Sequence, residues 1–250
     1  DRVGIANFMW ANNDRLLIEP SNWFIGFLDS KVPTGEIIGL NYNGRGLKML
    51  FGYRAGEAQV GSKVKKVKAQ FGAADVLDRL PQEKNKVIIS KWPYSQNPQN
   101  PNRPHNEAML MDVRSGQTRR LGMSPLRYGN FVVDRNDQVN LVFGKNDKNM
   151  YEAYIREGGK GEFKKVPAVH GGDEYITPIH MAAGGKYWAM GYGDGDKMGV
   201  FLWDPKSNSY TEVFRHESVD AGALLTGPND DVYAIRYHDH YPSYFYPNPE

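Results

Sequence analysis

Polar turns and short apolar segments alternate five times along this chain. Each copy opens with a turn rich in Asn, Asp or Gly, and an apolar segment of strand-like composition follows directly. Repeats of about 40 to 50 residues are typical of β-propeller blades. The first spacing is longer than the others, so we expect an insertion there. One residue in each turn marks the start of its repeat, and these residues are spaced 71, 52, 48 and 45 positions apart. They are Asn13, Lys84, Asn136, Gly184 and Asn229.

A strand, a tight turn and a second strand recur between these marks. The first such copy runs from Ile37 to Tyr42, turns at Asn43-Gly44 and continues from Leu47 to Leu50. Asn-Gly between apolar segments predicts a β-hairpin, because the primed turn needs positive φ at both central residues. Each full repeat therefore contains two hairpins, or four antiparallel strands, which is the content of one propeller blade. Further copies lie at 108–121, 151–166 and 200–214.

The predicted fold is all-β, a single propeller segment of four complete blades and a partial fifth. The blades are expected at 1–52, 73–122, 126–168, 175–217 and 218–250, and the second hairpin of the fifth is expected to be missing. Two insertions, 53–72 and 93–106, stand outside the repeats. The second carries four prolines, which lack the amide donor that regular structure needs. Segment 61–80 is the best helix candidate, although its pattern fits a strand equally.

Composition narrows the possible functions. The chain is 40% hydrophobic, 24% charged and 12% aromatic, which fits a globular protein rich in strands. A net charge of +2 argues against a nucleic-acid partner, and the absence of cysteine excludes disulfides and thiolate chemistry. No apolar segment approaches the roughly 18 residues of a membrane helix. We expect a processed product or a piece of a longer protein, in a periplasmic or secreted location rather than a cytoplasmic one.

One sequence approaches the nucleophile elbow of a serine hydrolase, Gly-x-Ser-x-Gly. It runs from Gly122 through Ser124 and Pro125 to Leu126. Leu126 replaces the second glycine, and Pro125 lacks the N–H that the residue after the nucleophile gives to an oxyanion hole. An inter-blade turn is the better interpretation of this segment.

Three other candidate sites are equally weak. His238 and His240 would point to one side of a strand and could share a metal, but the sequence offers no obvious third ligand. Asp194 and Asp196 suggest calcium, yet the twelve-residue loop ending in Glu is missing. The segment from Lys63 to Lys68 suggests a nucleic-acid patch, but no aromatic residues lie between its lysines. We interpret it as the solvated edge of a sheet. We therefore assign no catalytic, cofactor-binding or metal-binding residue and expect no cofactor.

Several local motifs, in their order along the chain, resemble the propeller region of the prolyl oligopeptidase (S9) family of serine peptidases. The similarity is to bacterial members of the acylaminoacyl- and dipeptidyl-peptidase type. The motifs are Phe8-Met9-Trp10 with Asn13 to Ile18, Thr34 to Asn41 with Asn43-Gly44, Val87 to Pro93, Met111 to Val113 with Ser115-Gly116, and Val232 to Tyr237 with Pro242 and Pro247.

This resemblance implies a non-catalytic propeller that limits the access of peptides to a separate α/β-hydrolase domain. That domain would carry the Ser, Asp and His of the triad, and none of those residues can be transferred to this chain. The parent protein would then be a serine peptidase, with the hydrolase domain and its peptide substrates as partners of this segment. A stand-alone binding or scaffold propeller is the alternative. A metal-dependent enzyme, the third possibility, would rest on His238 and His240 alone.

Overall fold

A computed structural model describes residues 2–24, 30–56, 68–80, 83–95, 104–166, 176–227 and 231–248. Within these residues the chain forms twenty β-strands and two 3-10 turns, at Tyr53–Gly56 and Ala183–Gly185. Every strand pairing is antiparallel, and the strands are grouped in five sheets. Sheet A contains β1 (Arg2–Trp10), β2 (Arg15–Phe24), β3 (Ser30–Pro33), β4 (Ile37–Asn41) and β5 (Lys48–Phe51).

The other four sheets repeat one meander in sequence order. Sheet B contains β6 (Gly72–Asp78), β7 (Lys86–Pro93), β8 (Glu107–Asp112) and β9 (Thr118–Met123). Sheet C contains β10 (Asn130–Val133), β11 (Val139–Lys145), β12 (Tyr151–Ile155) and β13 (Lys164–Lys165). Sheet D contains β14 (Ile176–Met181), β15 (Tyr187–Gly191), β16 (Gly199–Asp204) and β17 (Ser209–Phe214). Sheet E contains β18 (Ala221–Thr226), β19 (Val232–Asp239) and β20 (Tyr241–Phe245).

The fifth sheet corrects the prediction of four blades and a partial fifth. Five blades of three to four strands are present, and the fifth, sheet E, has three strands, of which β20 pairs with β19. His240 makes the turn of this hairpin with φ +59°. The turn contains neither Gly nor Asn, so it lacks the signal that marked the other hairpins.

The chain divides into two compact units, Asp1–Arg127 with sheets A and B, and Tyr128–Glu250 with sheets C, D and E. In the first unit, apolar side chains from facing sides of sheets A and B form one core, in which Leu17, Phe51, Val87 and Met111 are almost fully buried. Gly35 allows close backbone contact between the two sheets: its φ is +72°, and a Cβ there would lie 2.2 Å from Ala73 Cβ.

Sheet D of the second unit is apolar on both sides. One side packs with sheet C, where Trp203 shares a core with Val132 and Leu141. The other side packs with sheet E, where the rings of Phe214 and Phe245 are 4.8 Å apart. A blade between two other blades therefore needs two apolar faces, which explains why its strands read as nearly continuous hydrophobic segments.

The helix candidate 61–80 contains a strand. Residues 72–78 form β6, whose core-facing Ala74 packs against the first sheet, while 57–67 lie outside the described residues. Of the proline-rich insertion, residues 96–103 also lie outside them. No helix in the described parts of the chain is long and apolar enough to cross a membrane.

Candidate functional site

Ser124, the residue nearest to a serine nucleophile in the sequence, is buried and engaged in a local turn. Its Oγ donates to Leu126 O at 2.6 Å and accepts from Leu126 N at 2.9 Å. The imidazole of His105 lies close by, but its Nδ1 is 2.7 Å from the carbonyl oxygen of Ser124 and not from the hydroxyl. A general base must reach the nucleophile's own proton, so this geometry does not form a Ser-His pair.

His238 and His240 do not converge as the metal hypothesis requires. His240 sits at the hairpin turn with a side chain that is 91% exposed. Asp239 is flanked instead by His240 and by His216, with Nε2–Oδ separations of 3.8 and 3.9 Å. No group of three His, Asp or Glu side chains within the described ranges could hold a metal ion. His216 could not be recognised from sequence, because it follows the last strand of another sheet.

Asp194 and Asp196 lie in the loop before β16. Asp196 pairs with its neighbour Lys197 at 3.1 Å, and this hydrogen bond lowers the pKa of the carboxyl. The loop contains a turn in which Gly195 N donates to Tyr192 O. Of the lysine cluster, Lys63, Lys65 and Lys66 lie outside the described residues.

A pair of carboxyl groups that the sequence did not indicate lies where sheets A and B meet. Glu19 on β2 accepts hydrogen bonds from the Asn7 side chain and from the backbone N–H of Val76 on β6. Burial raises the pKa of Glu19, and the charge of nearby Asp75 raises it further. Burial also raises the pKa of Asp75, although its side chain remains accessible to solvent.

These two carboxyls, on neighbouring sheets of the first unit, are a candidate position for binding a cation. Perturbed pKa values in accessible positions are enriched at functional sites, because such groups are held in an environment that disfavours their charge. A cation or an ammonium group placed between Glu19 and Asp75 would favour both charged forms. The two residues lie on different blades with an insertion between them, so no local motif could have revealed the pair.

No protein-family model matches the chain, and no curated protein matches its sequence. Solved structures, in contrast, do match the fold of this chain. One is an acylaminoacyl peptidase in complex with Z-Gly-Gly-Phe-chloromethyl ketone, with a TM-score of 0.50 and 14% identity over 93% of this chain. The chain has a β-propeller fold. A candidate TolB from Agrobacterium tumefaciens matches with a TM-score of 0.50 and 9% identity over 90% of this chain.

At these identities the likeness establishes the fold alone. The chain spans 34% of the acylaminoacyl peptidase and 66% of the TolB candidate. Both propellers of S9 peptidases and propellers of TolB type are therefore structural neighbours of this chain, and its function has to be argued from its own residues.

Proposed function

We propose that this chain is the non-catalytic propeller segment of an S9-like serine peptidase and limits the access of peptides to a separate α/β-hydrolase domain. The observation that carries this proposal is the combination of the shared blade fold with the S9-like motifs in their order along the sequence. The local engagement of Ser124 supports a non-catalytic role, because its hydroxyl is held within its own turn.

The gating role is tested on the full-length gene product with substrates that share one cleavage sequence but increase in size from a blocked tripeptide to a folded protein. A propeller that restricts access should lower kcat/KM by about tenfold or more for the largest substrates. The Arg15→Ala variant, which removes a contact between sheets A and B, should relax this size limit, whereas exposed Arg119→Ala should not. Equal kcat/KM across the series would contradict gating.

We propose a second role for the carboxyl pair within the same function. Glu19 and Asp75 are proposed to bind the protonated amino terminus of the peptide, since an ammonium group is the cation that every unblocked peptide carries. In the E19Q/D75N variant, KM for free-amino peptides should rise by about tenfold, equivalent to about 1.4 kcal/mol. Nα-acetylated peptides are the matched control and should be unaffected. An equal change for both classes would show that the pair does not bind the amino group.

A stand-alone binding or scaffold propeller is the second candidate. The match to the TolB candidate, at the same TM-score as the peptidase match, is the observation that favours it. The two candidates differ in whether the gene product carries a reactive serine. A gene product that binds other proteins but hydrolyses none of the peptide series would favour the binding module.

A further inference from the structure

Asn7 lies directly opposite Glu19 because the first strand of sheet A carries a β-bulge. The register of β1 and β2 pairs Ile5 with Pro20. The next pair is Asn7 with Glu19, so Ala6 is an extra residue in β1. Without this bulge, Ala6 would face Glu19 across the two strands. A bulge re-aims the side chains that follow it, and bulges are frequent next to active sites. Here the bulge places an amide side chain beside the Glu19 carboxyl.

A backbone N–H of the neighbouring sheet also reaches Glu19. Strand β6 of sheet B has its own bulge, where the register shifts between Val76 and Asp78. The N–H of Val76, at the edge of this bulge, donates to the Glu19 carboxyl. A bulge interrupts the ladder of its own strand, which can leave a backbone donor available to a neighbour. Glu19 is therefore held by a side chain of its own sheet and by the main chain of the next.

The Asn7 amide presents its nitrogen to Glu19. Its Oδ1 accepts a hydrogen bond from the backbone N–H of Phe8 at 2.9 Å. Because a backbone N–H can only donate, this contact fixes which end of the amide is the oxygen. The remaining end is the donor Nδ2, and the Asn7 side chain hydrogen-bonds to the Glu19 carboxyl. The backbone of β1 thus sets the orientation of the amide, and the amide in turn sets that of the carboxyl.

The Asn7 hydrogen bond opposes the influences that disfavour a charge on Glu19. Burial and the charge of Asp75 raise the pKa of Glu19, whereas the hydrogen bonds from Asn7 and Val76 lower it. A hydrogen bond to the charged form of a carboxyl favours that form. An ionised carboxylate offers about four acceptor sites. Asn7 and Val76 each occupy one of them, which leaves acceptor capacity for a further donor.

We infer that Asn7 is a positioning residue of the carboxyl pair, which orients the Glu19 carboxylate for a bound ammonium group and favours its ionised form. The ligand class is a primary ammonium, which donates up to three hydrogen bonds and accepts none. Asn7 acts through Glu19 and does not touch the ligand. The inference rests on the proposed binding of a peptide amino terminus by Glu19 and Asp75, and it adds the residue that prepares one of these two carboxyls.

Carboxyl NMR of the 250-residue chain with carbon-13 in its Glu side chains tests the inference. The signal of Glu19 is assigned by its loss in Glu19→Gln. The probe is glycyl-phenylalanine amide, whose one charge is its ammonium group, and the Nα-acetylated form is the uncharged match. Asn7→Ala removes the donor, and Asn7→Asp keeps the size of the side chain but cannot donate when ionised. Asn130→Ala, at an exposed asparagine on the first strand of sheet C, is the matched control.

The inference predicts that Glu19 titrates at a higher pH in Asn7→Ala and in Asn7→Asp than in the parent chain, and that Asn130→Ala leaves the titration unchanged. In Asn7→Ala the Kd for the probe should rise about tenfold at pH 5, which is the loss expected for one hydrogen bond to a charged group. The rise should be smaller at pH 7, because a proton competes with the ammonium group only where Glu19 can take one up. A purely structural role of Asn7 would not produce this pH dependence.

Two different failures can be told apart in the same spectra. A parent chain that binds the probe, with an unchanged Glu19 titration or an unchanged probe affinity in Asn7→Ala, would overturn the inference alone. A parent chain whose Glu19 signal responds equally to the probe and to its acetylated form, or to neither, would show that the pair does not bind an ammonium group. The proposed role of the pair and this inference would then fail together.

Discussion

Arg15 connects the first two blades through a buried guanidinium. Its Nε donates to Val113 O at 2.9 Å, and one terminal nitrogen donates to Asn41 Oδ1 at 2.7 Å and to Gly46 O at 2.8 Å. The first bond joins sheet A to the end of sheet B, and the other two hold the loop of the Asn43-Gly44 hairpin. A single side chain therefore fixes both a turn and the contact between two sheets.

The Arg15→Ala substitution should lower the free energy of unfolding by about 3 kcal/mol, because it leaves the buried carbonyl oxygen of Val113 without this donor and removes two partly buried hydrogen bonds. Urea unfolding monitored by tryptophan fluorescence measures this change. Arg119→Ala, in an exposed position on β9, serves as the control and should stay within about 0.5 kcal/mol of the parent chain. A similar small effect at Arg15 would mean that its three hydrogen bonds do not form in solution.

The carboxyl pair makes stability depend on pH. Burial raises the pKa values of Glu19 and Asp75 in the folded chain above their ordinary values of 4.5 and 3.8, so folding disfavours their charged forms. Their destabilising effect is absent below the unfolded pKa values and develops as pH rises through the folded ones. The E19Q/D75N variant should therefore melt at a higher temperature than the parent at pH 7, with the difference vanishing near pH 3.5.

Thermal unfolding followed by circular dichroism across this pH range provides the measurement. The Glu162→Gln, Glu217→Gln double variant, at two exposed positions, controls for the loss of two negative charges. A melting-temperature difference that stays constant from pH 3.5 to pH 7 would contradict the assigned pKa shifts.

At the level of elements, hairpins with a strong turn signal were predictable and those without one were not. Asn43-Gly44 correctly predicted a connection between β4 and β5, but the two-residue primed turn was wrong: loop 42–47 joins the strands, with positive φ at Gly44 and Gly46 and not at Asn43. The turn between β19 and β20 was not predicted, since it lies at His240 and contains neither Gly nor Asn. The carboxyl pair and His216 were missed for a different reason: their neighbours come from other sheets, and only tertiary packing brings them together.

A substitution at Gly35 tests whether sheets A and B approach each other as closely as the structure shows. A methyl group at this position would lie 2.2 Å from Ala73 Cβ, and the backbone also has positive φ. Gly35→Ala should cost about 3 kcal/mol of unfolding free energy, since both strain and overpacking contribute. Gly44→Ala shares the positive φ but has no heavy atom within 4 Å, so it should cost only about 1 kcal/mol. Equal losses in urea unfolding would show that the sheets separate easily.

The whole molecule combines five related blades, and in the proposed function the chemistry belongs to a separate domain. The sequence repeat predicted the all-β class and the antiparallel strand content, because turn residues and apolar periodicity act locally. In the proposed peptidase, the carboxyl pair between the first two blades would bind the substrate while the hydrolase domain performs the chemistry.

The location of the reactive serine tests this account most directly. The 250-residue chain and the full-length gene product are each treated with a fluorophosphonate probe, and the modified residue is identified by mass spectrometry. The account predicts that the 250-residue chain remains unlabelled and that the full-length product is labelled at a single serine outside these residues. Labelling of Ser124 or another serine within the chain, or a full-length product that does not react, would contradict it.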